Sequence, residues 1–421
     1  MNRHLSILFL SLLLLVAGTL SVSAQIVDVE GQYVDTVFHD HVDRTAEDFV
    51  KVSLMISQPS NQKVYSFVGH AGLRLQCPTF DLDYVFAYIS VQRDAAALDY
   101  TTLQPTMGLF VIPTEQYIEE EFRGVREYEM FLSPRVETEL WRILDEEVKK
   151  GYDTPFDWMH GSCAQKVYQF VNEAIVTIYP DDSVQTQWLG EDQYTVRELF
   201  YYKYATEAPW HKLLLTSYAG YELLDNVRMS SGKKVLFPEQ LLALWHNTTL
   251  CSKPILSKET KVYTISEVMI APIVTPIRIA IVLLLLSLVS LGCVCCQTHI
   301  GVVKIGNGID YIILTIQTMG ALFLLVMMWV AYLPFPQSHW NWLFIPFNIL
   351  PAICWNWRKY WALLYAAVLV VWCLVMAFVP HMLVDTTHII LTLAFAIVLL
   401  KQSNIIQRLI NNFVAQNMTK L

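Results

Sequence analysis

Cys163 and His70 are the two residues whose type and setting could do covalent chemistry. A thiol attacks only as its thiolate, and the start of a helix favours that form because unpaired N–H groups and the positive end of the dipole converge there. The stretch from Cys163 to Ile178 puts Val167, Phe170, Val171, Ala174, Ile175 and Ile178 on one face at helical spacing, which predicts an amphipathic helix. Gly161 and Ser162 come immediately before it, with Ser162 as N-cap, so Cys163 stands on the first turn. A buried structural cysteine is the competing reading of the same position.

A thiol nucleophile needs a base, and His70 leads. It lies in a strand-like stretch from Val64 to Leu75, with Gly69 and Gly72 on either side of His70-Ala71. A second strand, Tyr84 to Val91, follows a turn containing Pro78 and Asp81, so His70 sits in a hairpin that can be held rigidly against a helix start. His160 is nearer in sequence but falls on the loop entering the helix. His39 and His41 flank Asp40 and could suggest a metal, although two ligands in an early polar segment specify little. If the hairpin closes symmetrically about Phe80, Ser90 lies opposite His70. Tyr84 and Tyr88 read as sheet packing.

The elements that must position this pair belong to a chain of uneven composition. The 421 residues are 54% hydrophobic and 16% charged, yet only Arg278, Lys304, Asp310, Arg358, Lys359 and Asp385 carry charge between 271 and 400. A water-facing surface needs more ionised groups than that. Residues 25 to 270 hold 21 Lys and Arg against 36 Asp and Glu, an acidic balance that excludes a nucleic-acid footprint. At the N-terminus, Arg3 and His4, an apolar run from Leu5 to Leu20, and Val22-Ser23-Ala24 before Gln25 predict a secretory signal over residues 1–24; an uncleaved anchor is the alternative. Residues 25–270 are then an exported domain and 271–421 a membrane domain with a cytoplasmic tail.

Four apolar runs, about 277–296, 310–333, 360–380 and 386–400, approach bilayer length. A fifth, Trp342 to Trp355, is short and carries Pro346 and Pro351. Five crossings would place Lys304, Arg358, Lys359, Lys401, Arg408 and Lys420 all on the cytoplasmic side, so charge placement favours five over four. Outer loops then carry His339, Trp340 and Asn341 in one case, and His381 and Asp385 in the other; such groups can orient a lipid headgroup or simply hydrogen-bond at the interface. Of eight cysteines, Cys293, Cys295, Cys296, Cys354 and Cys373 sit in or beside these runs, leaving Cys77, Cys163 and Cys251 outside. An odd number in an oxidising compartment leaves at least one thiol free or intermolecular, and a Cys77–Cys251 pair stays open.

Read together, these residues resemble the Lnb, or Bacteroides-type, lipoprotein N-acyltransferases. Phe67-Val68-Gly69-His70-Ala71-Gly72-Leu73-Arg74 looks like that family's Phe-Gly-His-small-Ala-Ile-Arg motif, with Val68 inserted or substituted relative to it. Asp83 and Tyr88 match its following strand. Phe122-Arg123-Gly124 and Leu132-Ser133-Pro134 resemble its Arg-Gly and Leu-Ser-Pro steps. The run Phe156-Asp157-Trp158-Met159-His160-Gly161-Ser162-Cys163 is similar to Tyr-Asp-Phe-Leu-Tyr-Asp-Asn-Cys, keeping Asp157 and Cys163 while Gly161-Ser162 replace Asp-Asn. His339, Trp340, Asn341, Asn348 and Pro351 are similar to the family's membrane-loop pattern.

The resemblance implies an α+β, permuted papain-like exported domain followed by five transmembrane helices, with four as the alternative, in a bacterial inner membrane with the first domain in the periplasm. It implies transfer of a fatty acyl chain from a phospholipid to the α-amino group of a diacylglyceryl lipoprotein, through a Cys163 thioester with His70 as base. Asp157, Asp83, Ser90 and Tyr88 are then candidate orienting or supporting groups, and His339 and Asn341 candidate substrate contacts. No cofactor or nucleic-acid partner is implied. Two other readings share the residues: an NlpC-like cell-wall cysteine peptidase or amidase, and a non-enzymatic envelope scaffold.

Overall fold

In the computed structural model the described residues are 49–60, 66–91, 106–121, 123–152, 154–155, 161–179, 184–186, 195–199, 209–218, 235–263, 273–295, 300–330, 358–378 and 386–406, with 408, 409 and 412. Strands β1 (Lys51–Ser57), β2 (His70–Cys77), β3 (Leu82–Ser90), β4 (Thr106–Pro113), β5 (Val125–Met130) and β6 (Thr154–Pro155) belong to one antiparallel sheet. Short β7 (Val184–Thr186), β8 (Thr248–Leu250) and β9 (Lys253–Pro254) make a second sheet, and β10 (Leu256–Tyr263) returns to the first, whose order is β10-β5-β1-β2-β3-β4-β6.

Side chains alternate across this sheet, so each face has its own cover. Leu54, Ile56, Ala71, Leu73, Leu75, Phe86 and Tyr88 line one face and pack with helices α2 (Pro134–Lys149), α3 (Cys163–Ile178) and α6 (Pro238–His246) in the main core. Met55, Val85, Ala87, Phe110 and Val125 line the other, covered by Tyr117 and Ile118 of α1 (Thr114–Glu120). The remaining helices are α4 (Val196–Leu199), α5 (Pro209–Tyr218), α7 (Pro276–Cys295), α8 (Ile300–Val330), α9 (Arg358–Phe378) and α10 (Thr386–Gln402). Pro134, Pro209, Pro238 and Pro276 each open a helix, where the missing N–H has no intrahelical partner to lose.

This architecture corrects two expectations. The first domain is a mixed α/β unit built on a seven-stranded antiparallel sheet rather than the permuted papain-like fold that the resemblance implied. Among the described residues two helices, not five, are long and apolar enough to cross a membrane, Pro276–Val294 and Ile300–Phe323. Lys359–Val375 and Thr386–Gln402 are apolar but shorter. Charge placement favoured five because it counts which side a lysine or arginine would face and does not measure how long an apolar stretch each helix carries. The segment 342–355 and the leader 1–24 lie outside the described residues.

The apolar helices pack among themselves through Ala280, Leu283, Ile313, Tyr365, Leu369, Phe395 and Val398, and turn Val282, Leu285, Val289, Val371 and Leu374 outward. One polar cluster is buried between them. Lys401 of α10 pairs with Asp310 of α8 at 2.9 Å, while Ser290 of α7 donates to Asp310 and to the Gly306 carbonyl and accepts from Lys401. Gln402 adds a fifth contact, to Asp310 at 2.7 Å.

The β2–β3 register also differs from the symmetric hairpin read from sequence. A 3-10 turn over Pro78–Phe80 is closed by Asp81 at φ 52°, and the pairs are Cys77↔Leu82, Gln76↔Asp83 and Gly72↔Ala87. The axis therefore falls between Thr79 and Phe80. This half-step puts Ser90 on the sheet face opposite His70.

The chain enters β2 through Gly69 at φ 84°, where a Cβ would stand 2.6 Å from the Ser57 carbonyl oxygen. Both the dihedral and the contact exclude a side chain. Gly69→Ala is expected to destabilise the domain by about 1–3 kcal/mol, since a non-glycine residue is strained there, as read from denaturant unfolding of the purified protein; a change below a few tenths would show that the backbone relaxes freely.

Candidate active site

Cys163 opens α3, as the apolar spacing predicts, and Ser162 caps it by accepting from the Gln165 N–H at 3.1 Å. Gln165 in turn accepts from the Val235 N–H at 2.8 Å, which ties the first turn of α3 to the segment before α6. The Cys163 sulfur lies against the N–H groups of Ala71 and Ala164 and its own N–H. Two of these donors belong to the helix start, and one to the residue after His70. Partly buried, Cys163 packs on the main core. Burial raises its thiol above the ordinary range, outweighing the three N–H groups and the Arg123 charge that favour thiolate.

His70 is the first residue of β2 and pairs in register with Ser57. Its Nε2 is sealed from solvent and makes no hydrogen bond among the described residues. Burial pulls the imidazole from 6.5 down to about 4, the Arg123 charge pulls the same way, and Glu121 opposes. At neutral pH the resting pair is thus a thiol and a neutral imidazole, not an ion pair. Such an imidazole is free to receive a proton, although Nε2 does not hold the thiol proton at rest; catalytic hydrogen bonds commonly form only once substrate is bound.

Beside the pair lies a polar network that sequence reading did not assemble. Arg123 donates to Glu121 through Nε at 2.7 Å and Nη2 at 2.9 Å, and Glu121 also accepts from Ser57 at 3.1 Å. The Ser57 hydroxyl meets the Tyr117 hydroxyl at 3.1 Å. All four residues are buried. Burial, with Glu121 next, holds Tyr117 protonated far above its usual range, and Cys163 is close enough to add to that. Only the Glu121-Phe122-Arg123-Gly124 spacing could have flagged it, since an acid and a base in a short linker ordinarily face water.

The other predicted residues fall elsewhere. Asp83 accepts from Arg74 at 2.8 and 2.6 Å, from Thr114 at 2.6 Å and from Gln76 at 3.3 Å. Burial would raise its carboxyl, but these bonds outweigh it and hold it below the ordinary value. Asp83 is paired with Gln76, six residues along β2 from His70 and so about 20 Å away at strand rise, which removes it as an orienting group. Ser90 is buried on the opposite face. Tyr88 is a core side chain, with the Lys166 ammonium 5.2 Å from its ring centroid. Cys77 and Cys251 are free, one buried and one exposed, so they do not pair. Asp157, His160, His339, Asn341, His39 and His41 lie outside the described residues.

No family model, curated protein or solved structure matches the chain. The class the site defines is therefore set by its own geometry: a mixed α/β domain with a thiol at a helix start and a neutral histidine at the adjoining strand start, joined to helices of membrane-crossing length.

Two outcomes follow from the neutral pair. The His70 imidazole has a folded value depressed below the unfolded one, so its neutrality stabilises the fold above pH 6.5 and that contribution fades as pH falls toward 4. It amounts to about 3 kcal/mol in all. His70→Gln is expected to flatten the pH dependence of unfolding over that window relative to wild type. Glu137, pushed up by burial to about 8, runs the opposite way from 4.5 upward and cancels in the comparison. Alkylation of Cys163 by iodoacetamide should climb with pH beyond the ordinary thiol range; a plateau near neutrality would instead reveal a standing thiolate–imidazolium pair.

Proposed function

We propose that the chain is a membrane-held, thiol-dependent acyltransferase that moves a fatty acyl chain from phospholipid to the α-amino group of a diacylglyceryl lipoprotein. The observation that carries this reading is the Cys163 sulfur at the start of α3, faced by N–H groups from both α3 and β2, with His70 next in the chain to the Ala71 donor. The resemblance over residues 67–74 and 156–163 supports the acyl-transfer chemistry, and the two spanning-length helices favour a lipid-borne donor. In this reading residues 1–24 direct export and the site faces the periplasm across a bacterial inner membrane.

Acylation begins when Cys163 Sγ attacks the ester carbonyl carbon. The S–C bond forms as the thiol proton passes to His70, and the N–H groups at the α3 start and Ala71 meet the developing negative charge. The ester C–O bond then breaks, His70 returns the proton to the departing lysophospholipid oxygen, and a thioester remains. The lipoprotein amine attacks that thioester, its N–C bond forms, the C–S bond breaks, and His70 passes the amine proton to the leaving sulfur. The imidazolium exists only in passing, which agrees with a base whose resting form is neutral.

The test is the intact mass of the detergent-purified protein after incubation with phospholipid, before and after neutral hydroxylamine. Wild type should gain one fatty-acyl increment that hydroxylamine removes, and Cys163→Ser should gain none or a hydroxylamine-resistant ester. No increment on folded wild type, together with release of peptide fragments from purified cell wall, would transfer the site to the peptidase reading.

A further inference from the structure

Helix α5 touches both the site and the apolar helices. His211 stacks on Phe67, three residues before His70, with ring centroids 4.7 Å apart and planes 22° from parallel. Its neighbour Trp210 donates its indole N–H to the Val274 carbonyl at 2.8 Å, at the entrance to α7. Ser217, seven residues on and so on the same helix face as Trp210, meets His388 Nε2 of α10 at 3.0 Å. Ser217 is 6% exposed and His388 0%. A buried histidine in the first turn of an apolar helix is costly to place, and here its hydrogen bond reaches a residue of the sheet-bearing half of the chain.

The exposed groups at the same place are apolar apart from Arg278, whose guanidinium donates to the Ile273 carbonyl. Trp210 is 37% exposed, Ile273 84% and Val274 54%, where the chain passes into a helix of spanning length. A tryptophan with its N–H satisfied and its ring open suits the headgroup layer of a bilayer, where one side is apolar and the other wet.

We propose that α5 is a strap that seats the Cys163–His70 site at the bilayer surface, with Trp210, Ile273 and Val274 in the headgroup layer and His388 as a positioning residue acting through Ser217. The site would then take its substrate laterally from the lipid phase. That the substrate is an acyl ester rests on the acyl-transfer reading; the strap does not.

The full-length chain is reconstituted in phosphatidylcholine vesicles and labelled either with a maleimide carried on a phospholipid headgroup or with a water-soluble maleimide. The modified Cys163 peptide is quantified by mass spectrometry. Ser217→Ala and His388→Ala are expected to slow the lipid-borne reagent by about tenfold, the worth of one buried hydrogen bond, and to leave the soluble reagent unchanged. His388→Gln, which keeps a hydrogen-bonding group, should recover most of the rate. Equal lipid-borne rates in wild type and variants, a parallel change with both reagents, or failure of the lipid-borne reagent to reach wild-type Cys163 would each overturn the proposal. Labelling as expected in a wild type that forms no fatty-acyl adduct would leave the strap standing and remove the acyl-transfer reading.

Discussion

The beginning of β2 has to lie against the beginning of α3, because the sulfur of Cys163 is faced by amides from both. Neither element supplies enough donors alone: the helix start offers the N–H groups of Cys163 and Ala164, and the strand adds that of Ala71. Everything nearby serves this approach. Gly69 turns the chain into β2 past the Ser57 carbonyl, Ser162 and Gln165 fix the first turn of α3, and the core face of β2 buries Ala71, Leu73 and Leu75 beneath the helix.

On the other side of β2 the constraint is electrostatic. Arg123 is buried within reach of both reactive groups and favours thiolate while disfavouring imidazolium. Glu121 neutralises most of it by a two-toothed ion pair and accepts one more bond from Ser57, whose hydroxyl in turn meets that of Tyr117. Removing one partner would strand a buried charge, a far larger effect than the net worth of the pair. The pair thus sets the local field rather than adding stability. Burial is why the thiol and the imidazole both rest neutral; Arg123 works against the neutral thiol and with the neutral imidazole.

Those parts of the site that depend on local periodicity were legible in the sequence. The helix from Cys163 to Ile178 and its Ser162 cap follow from apolar spacing, and the strand character around His70 from its composition, although the strand was read from Val64 and β2 begins only at His70. What depended on a half-residue was not. The 3-10 turn moved the hairpin axis off Phe80, and that alone carried Ser90 to the wrong face. Asp83 was misread because its nearest cation, Arg74, lies across the hairpin, a pairing that needs the register first. The buried Arg123–Glu121 pair was invisible because charge in a short linker carries no mark of burial. Helices α7 to α10 form where the four long apolar runs were read, but hydropathy shows where a span could be, not how much of each helix is apolar enough to cross.

The apolar half has its own pair of fixed points, and both lie on α10. Near its start His388 meets Ser217, and at its end Lys401 meets Asp310 and Ser290. Thirteen residues separate them, about 20 Å along a helix and about 220° around it. One point therefore faces the strap and the other faces the neighbouring helices α7 and α8. A helix held from opposite sides at both ends can neither roll nor slide without breaking one buried contact. The bond to Ser217 thus fixes the strap to something that is itself held, and Phe67 and His70 inherit a reference position from the apolar helices rather than from the sheet alone.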